Sequence, residues 1–158
     1  MDLLPLFKAL EDGPIGHVMK DKPATFATVE TVHLLALAIL GGAVFAADLR
    51  LLNVFLRDVP SKVVNDSAHR WFRGSLIVLL VTGFFMLAGV ATKCYHNDYY
   101  WTKMTALLVG ILFAFLVRKP LLAGDHAQLK PLTLKLVALA SMSVWFIVAA
   151  SGRWIGYS

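Results

Sequence analysis

Charge is what this sequence has least of. Only 16% of its 158 residues are Asp, Glu, Lys or Arg, where a soluble domain carries about 25%. Hydrophobic residues make up 58%, and the mean hydropathy is +0.70. Those figures exclude an ordinary water-soluble domain and imply a single membrane-embedded domain over residues 1–158. One cysteine, Cys94, excludes an internal disulfide and a thiolate cluster. There is no phosphate-cradling glycine loop, no nucleophile triad and no internal repeat. The net charge of +5 does not point to nucleic acid. The basic residues cluster at the ends of apolar segments, where membrane topology alone puts them.

What the chain has is four long apolar runs. A hydrocarbon core of about 30 Å takes roughly 20 helical residues. Stretches near 26–47, 74–92, 101–117 and 132–151 serve as spans, and short connections predict an all-α, antiparallel four-helix bundle. Ahead of them, residues 1–25 form a separate segment. Leu3, Leu4, Leu6, Phe7 and Leu10 are interrupted by Pro5, Lys8, Glu11 and Asp12, so no signal-peptide core forms. The same positions suit a short interfacial helix ended by Gly13-Pro14. Ala36, Gly41, Gly83, Gly89, Gly110, Ser141 and Ser143 stand where bundled helices need close approach.

Nine Lys/Arg fall at one end of the bundle and six at the other. The positive-inside rule therefore puts both termini outside. Tyr99, Tyr100, Trp101, Trp154 and Tyr157 then form an outer aromatic belt and Trp71 an inner one. Asn65-Asp66-Ser67 matches a glycosylation acceptor but falls on the inner side.

Within the spans, ionisable groups are few and so informative. Glu30 and His33, three apart in the first span, share a helix face. His33 has two readings: an axial ligand to haem iron, or an interhelical hydrogen bond to Ser or Thr. Glu30 would fix the His33 tautomer, relay a proton or pair with a cation. Lys103 opens the third span at the same depth, where it would pair with Glu30, hold a propionate or anionic substrate, or snorkel. Arg153 has the same choice. A di-iron site fails on count, since spans two to four hold no Asp or Glu. His33 is the one His well inside a span, which leaves Met86 and Met142 as candidate second ligands, though Met in a span is more often packing. His69 and His126, at the inner surface, either form a second site or are solvated. Cys94, His96 and Asp98 on the outer loop suggest copper.

Several positions together resemble a family of bacterial four-span membrane proteins catalogued as a domain of unknown function. They are E-x-x-H in span one, DLRLL at 48–52, Trp71-x-x-Gly74, Thr82-Gly83, Lys103, and the ending Gly152-Arg153-x-Ile155-x-Tyr157. More distantly the chain is similar to CopD-type copper-resistance domains and HemJ-type protoporphyrinogen oxidases. The second resemblance implies haem b, with His33 and Lys103 in the functional positions. The sequence departs from that pattern at 115–119, FLVRK, where similar proteins often carry a His.

The reading that follows is a haem b protein of the bacterial inner membrane, with His33 as metal ligand and Glu30, Lys103, Met86, Met142 and Arg153 around the cofactor. It would transfer electrons or oxidise a lipophilic partner, a quinone or porphyrin, alone or with a redox partner protein. The alternatives are a copper-handling protein using Cys94, His96, Met86 and His33, and a structural subunit of a larger complex or homo-oligomer.

Overall fold

A computed structural model of the chain describes residues 3–123 and 130–157. His126, with its loop neighbours Gly124 and Asp125, lies outside the described residues. Two short helices, α1 (Leu4–Glu11) and α2 (Pro14–Asp21), precede four helices long and apolar enough to cross a membrane. These are α3 (Pro23–Leu51), α4 (Ser61–Tyr95), α5 (Asp98–Leu112) with its continuation, and α7 (Pro131–Trp154). The continuation of α5 runs through a π-helical segment, Phe113–Arg118, into α6 (Lys119–Ala123). The chain is therefore a multi-pass membrane helix bundle.

The helices outrun their apolar cores. At 1.5 Å per residue, the 29 residues of α3 reach about 43 Å and the 35 of α4 about 52 Å. The stretch from Ser61 to Arg73, a polar loop on composition, is the first part of α4. Asn97 caps α5, its side chain accepting from the backbone N–H of Tyr99 and Tyr100. At Pro120 the chain does not stop. Proline lacks the N–H that a regular helix would give to the carbonyl at 116. The ladder widens instead, and Lys119 N–H bonds the Ala114 carbonyl five residues back. Helix then continues to Ala123 with Pro120 in its first turn, where proline is tolerated.

α3 packs along α4, α5 along α7, and α3 against α7. Leu40, Val44, Phe72, Leu76, Ala114, Trp145 and Val148 fill the centre. Large apolar side chains such as Leu35, Ile77, Leu108 and Phe146 point outward on all sides, as lipid contact requires. Tyr100 departs from the expected belt. It is buried against Phe7 and Cys94, while Tyr99, Trp101, Trp154 and Tyr157 at one end and Trp71 at the other are exposed. Gly41 also differs from expectation: nothing approaches it, and it lines an open groove.

Charge inside the bundle is confined mainly to one pair. Asp48 is 0% exposed, and its carboxylate lies 2.9 Å from the Arg118 guanidinium. The π turn precedes and includes Arg118. That side chain also donates to Ser141 of α7 (3.2 Å) and Asn65 of α4 (3.5 Å). The Arg118 guanidinium is the one ion-pair partner of this carboxylate among the described residues. Arg118→Leu is expected to cost about 3–5 kcal/mol by stranding the carboxylate. Asp48→Leu combined with Arg118→Leu should recover most of that loss, as measured by denaturant unfolding in detergent micelles.

The N-terminal segment folds as two helices docked on α4. At Val90 the α4 backbone leaves helical angles (φ −140°, ψ 31°). The Thr92 N–H beyond this break is accepted by the Glu11 carboxylate, which also pairs with Lys20 at 2.6 Å. Gly16 lets α2 approach: an added Cβ there would lie 2.9 Å from the Ala88 carbonyl and 2.0 Å from that of Glu11. Phe7 packs edge-on to Tyr95 and Tyr100 at 5.4 and 6.0 Å between ring centroids.

Burial alone would raise the Glu11 carboxyl, but hydrogen bonds from Lys20 and Thr92 outweigh it and hold it at about 2. A carboxylate held below its ordinary value of 4.5 stabilises docking fully above that value. The contribution fades as pH falls toward about 2. Acidification through this window is expected to loosen α1 and α2, read as emission from Trp101 beside Phe7. Glu11→Gln should weaken docking at neutral pH and flatten that acid dependence.

Candidate functional site in the His33 half of the bundle

His33 faces α4. Its Nδ1 lies 2.8 Å from the Thr82 hydroxyl oxygen. That hydroxyl is also 2.7 Å from the Val78 carbonyl, which can only accept. Thr82 therefore gives its single proton to Val78, and His33 Nδ1–H donates to Thr82. The imidazole is fixed as the Nδ1–H tautomer, with a lone pair left on Nε2. Gly83 lies beside the ring, and a methyl there would meet Cε1 at 3.4 Å, an ordinary contact.

Lys103 belongs to the same region. Its charge reaches His33 from α5 and Cys94 from α4, and its stem lies along Gly152 of α7, where an added Cβ would stand 3.4 Å from Nζ. Among the described residues no carboxylate is in ion-pair reach of this ammonium. Four helices thus bring together an oriented imidazole and a cation without a counter-ion.

The other sequence candidates are placed differently. Glu30 is exposed and has no ion pair among the described residues. It stands seven residues into α3, so the overhang of that long helix can carry it toward the headgroups. Arg153 is exposed and occupied by Tyr157, donating to its hydroxyl at 2.6 Å and lying 4.8 Å over its ring. Met86 is half-buried one turn beyond Thr82 on α4. Met142 lines an apolar groove of about 710 Å³ between α3 and α7 with Gly41, Gly42 and Trp145. His33 is not among the residues of that groove.

The outer-loop donors do not converge. Cys94 is buried against Phe7, Ala91 and Tyr100, whereas His96 is exposed and gives its Nδ1–H to the Thr92 carbonyl (3.0 Å). Among the described residues, no three His, Cys, Asp or Glu side chains gather as a metal ion would need.

Thr82 was visible in the sequence only as part of a motif, not as the partner of His33. Of the second polar centre, only His69 stood out in the sequence. Asp48 and Arg118 each read as an end-of-span charge, and the half-buried His69 stacks on Phe72 with its Nε2 buried and unpartnered among the described residues.

The fold and this interior polar cluster define a multi-pass helical membrane protein. Residues 6–158 match the family of unknown function DUF6644, and the chain belongs to that family. No curated protein and no solved structure matches it.

With ¹⁵N-labelled histidine in wild type and His33→Gln to assign the signal, His33 should show a protonated Nδ1 and an unprotonated Nε2. Thr82→Val should erase that preference and cost about 0.6 kcal/mol of bundle stability.

Proposed function

We propose that this protein is a small haem b protein of the bacterial inner membrane, working in electron transfer or in oxidation of a lipophilic partner such as a quinone or porphyrinogen. One observation carries the reading: the open Nε2 of His33 stands in the same interior region as the uncompensated ammonium of Lys103. The donor set fits the group. A neutral imidazole with its far nitrogen hydrogen-bonded is the usual form of a metal ligand, and a cation without a carboxylate suits a propionate. Haem would supply one-electron chemistry at a potential set by its ligands and surroundings.

The chain's own part is to hold and to exclude. Thr82 fixes the ring, Lys103 neutralises an anionic edge, and the α1–α2 pair covers the outer end over Cys94 and Tyr100. Met86 is the better second-ligand candidate, because it shares the Thr82 face of α4 while Met142 looks into the α3–α7 groove. The excess of Lys and Arg at the Asp48 end favours a cytoplasmic position for that end, with both termini in the periplasm. The same His33–Thr82 bond also favours a second reading, in which the cluster only ties helices together within a larger complex.

An absorption spectrum decides between them. Protein purified from haem-replete membranes is expected to show a Soret band with a reduced-minus-oxidised change. His33→Ala should abolish it, and Lys103→Met should lower haem retention about tenfold, the loss of one charge-assisted bond. A wild-type spectrum without a Soret band, before and after haemin addition, overturns the haem reading and leaves the structural one.

A further inference from the structure

At the opposite end of the bundle from His33, a cavity of about 170 Å³ opens between α4 and the π turn, beside the buried ion pair. It has the liquid volume of roughly six waters. Its walls combine two kinds of surface. Val44, Phe72, Ala114 and Trp145 give an apolar floor, and Asn65, His69, Arg118 and Lys119 supply polar groups, with Asp66 at the exposed rim.

The polar groups have unspent donor capacity. Arg118 uses Nη2 on Asp48 and Asn65 and one Nη1 proton on Ser141. Nε–H and the other Nη1 proton have no partner among the described residues. Lys119 stands next along the chain with no carboxylate in reach among them. His69 is wedged between two aromatic rings, stacked on Phe72 at 6.3 Å and edge-on to Phe115 at 5.5 Å. That packing fixes the ring, and its buried Nε2 has no hydrogen-bond partner among the described residues. A buried polar atom left in this state costs about 1–3 kcal/mol. A fixed guanidinium, an ammonium and an imidazole nitrogen around one small cavity form a donor set for an oxyanion.

We propose that this cavity is a binding site for a phosphate-class oxyanion. Arg118 is paired with Asp48, and Asp66 is the one carboxylate among the described residues of the cavity wall, so Lys119 and the unused Arg118 donors favour an anion at the mouth. It lies at the end of the bundle where nine of the Lys and Arg fall, and such basic ends are where membrane proteins meet phosphodiester headgroups. The same chemistry would accept free phosphate. The proposal stands apart from the haem reading, since none of its residues belongs to the His33 region.

The test uses the full chain in neutral detergent, with exposed Trp71, Trp101 and Trp154 replaced by Phe so that Trp145 reports on its own cavity. Sodium phosphate, against sodium chloride of matched ionic strength, is expected to change Trp145 emission saturably and to raise the unfolding midpoint. A second arm reconstitutes the protein in phosphatidylcholine bilayers with and without phosphatidylglycerol. Lys119→Gln and His69→Phe should each weaken the response about tenfold, the loss of one charge-assisted bond. Both leave the Asp48–Arg118 pair in place, and the phenyl ring keeps the aromatic stack. A response to phosphatidylglycerol alone identifies a lipid headgroup as the source, and one to phosphate identifies the free anion. No response in either arm, or one that both substitutions leave unchanged, overturns the proposal.

Discussion

Arg118 is the side chain through which all four spans meet. It extends from the end of the third, pairs with Asp48 of the first, and donates to Asn65 of the second and Ser141 of the fourth. Apolar packing alone discriminates poorly among arrangements of helices in lipid, because the tails are as apolar as Leu. A buried carboxylate needs its one guanidinium, and that need selects a single rotation and depth for each helix. The π turn belongs to the same constraint. It absorbs the irregularity of Pro120 within the helix, carrying the chain past Arg118 without a break. The adjoining DLRLL stretch is equally committed: Asp48 enters the bundle, Leu51 is buried, and Arg50 braces the following loop by donating to the Val59 carbonyl at 2.8 Å.

The two ends of the bundle handle polarity differently. At the Asp48 end charge is closed on itself, and the cavity beside it is lined by what the pair leaves over. At the His33 end no carboxylate among the described residues closes the circuit, since Glu30 is exposed and makes no ion pair with Lys103. A desolvated cation without a partner is costly, and this asymmetry is why the His33 cluster reads as a site while the Asp48–Arg118 pair reads as a clamp.

Much of the architecture could be read from sequence because it follows from length and hydropathy. Four runs near 20 residues, separated by short polar stretches, permit little else in a bilayer. The short N-terminal helix was legible from its amphipathic spacing, but its second half was not, since α2 owes its position to contact with a kink in α4. Residues 61–73 were misread because polar helix extending beyond the membrane looks like loop in composition. Tyr100 and Trp101 are adjacent in sequence yet one is buried and the other exposed, because only Tyr100 enters the cluster of Phe7, Ala91 and Cys94, a tertiary contact with no local pattern. His33 was found because an imidazole in a span is rare. Its tautomer was not, because it depends on where Thr82 sends a proton. The Asp48–Arg118 pair was hidden for a similar reason, as pairing across helices seventy residues apart leaves no local pattern.

The kink at Val90 links these observations. A straight α4 would spend its Thr92 N–H within the helix and offer Glu11 nothing to hold. Broken, it exposes a donor that Glu11 takes, and the close approach of Gly16 to Ala88 follows. The docked α1 then brings Phe7 onto Cys94 and Tyr100, covering the water-facing end of the helices that carry His33 and Lys103. Water is thereby kept from one side of the cluster, while α3 and α4 still present apolar faces to lipid. On the haem reading proposed above, a partner that approaches His33 from the bilayer side would itself have to be lipid-soluble, which is why that proposal names a quinone or porphyrin and not a soluble metabolite.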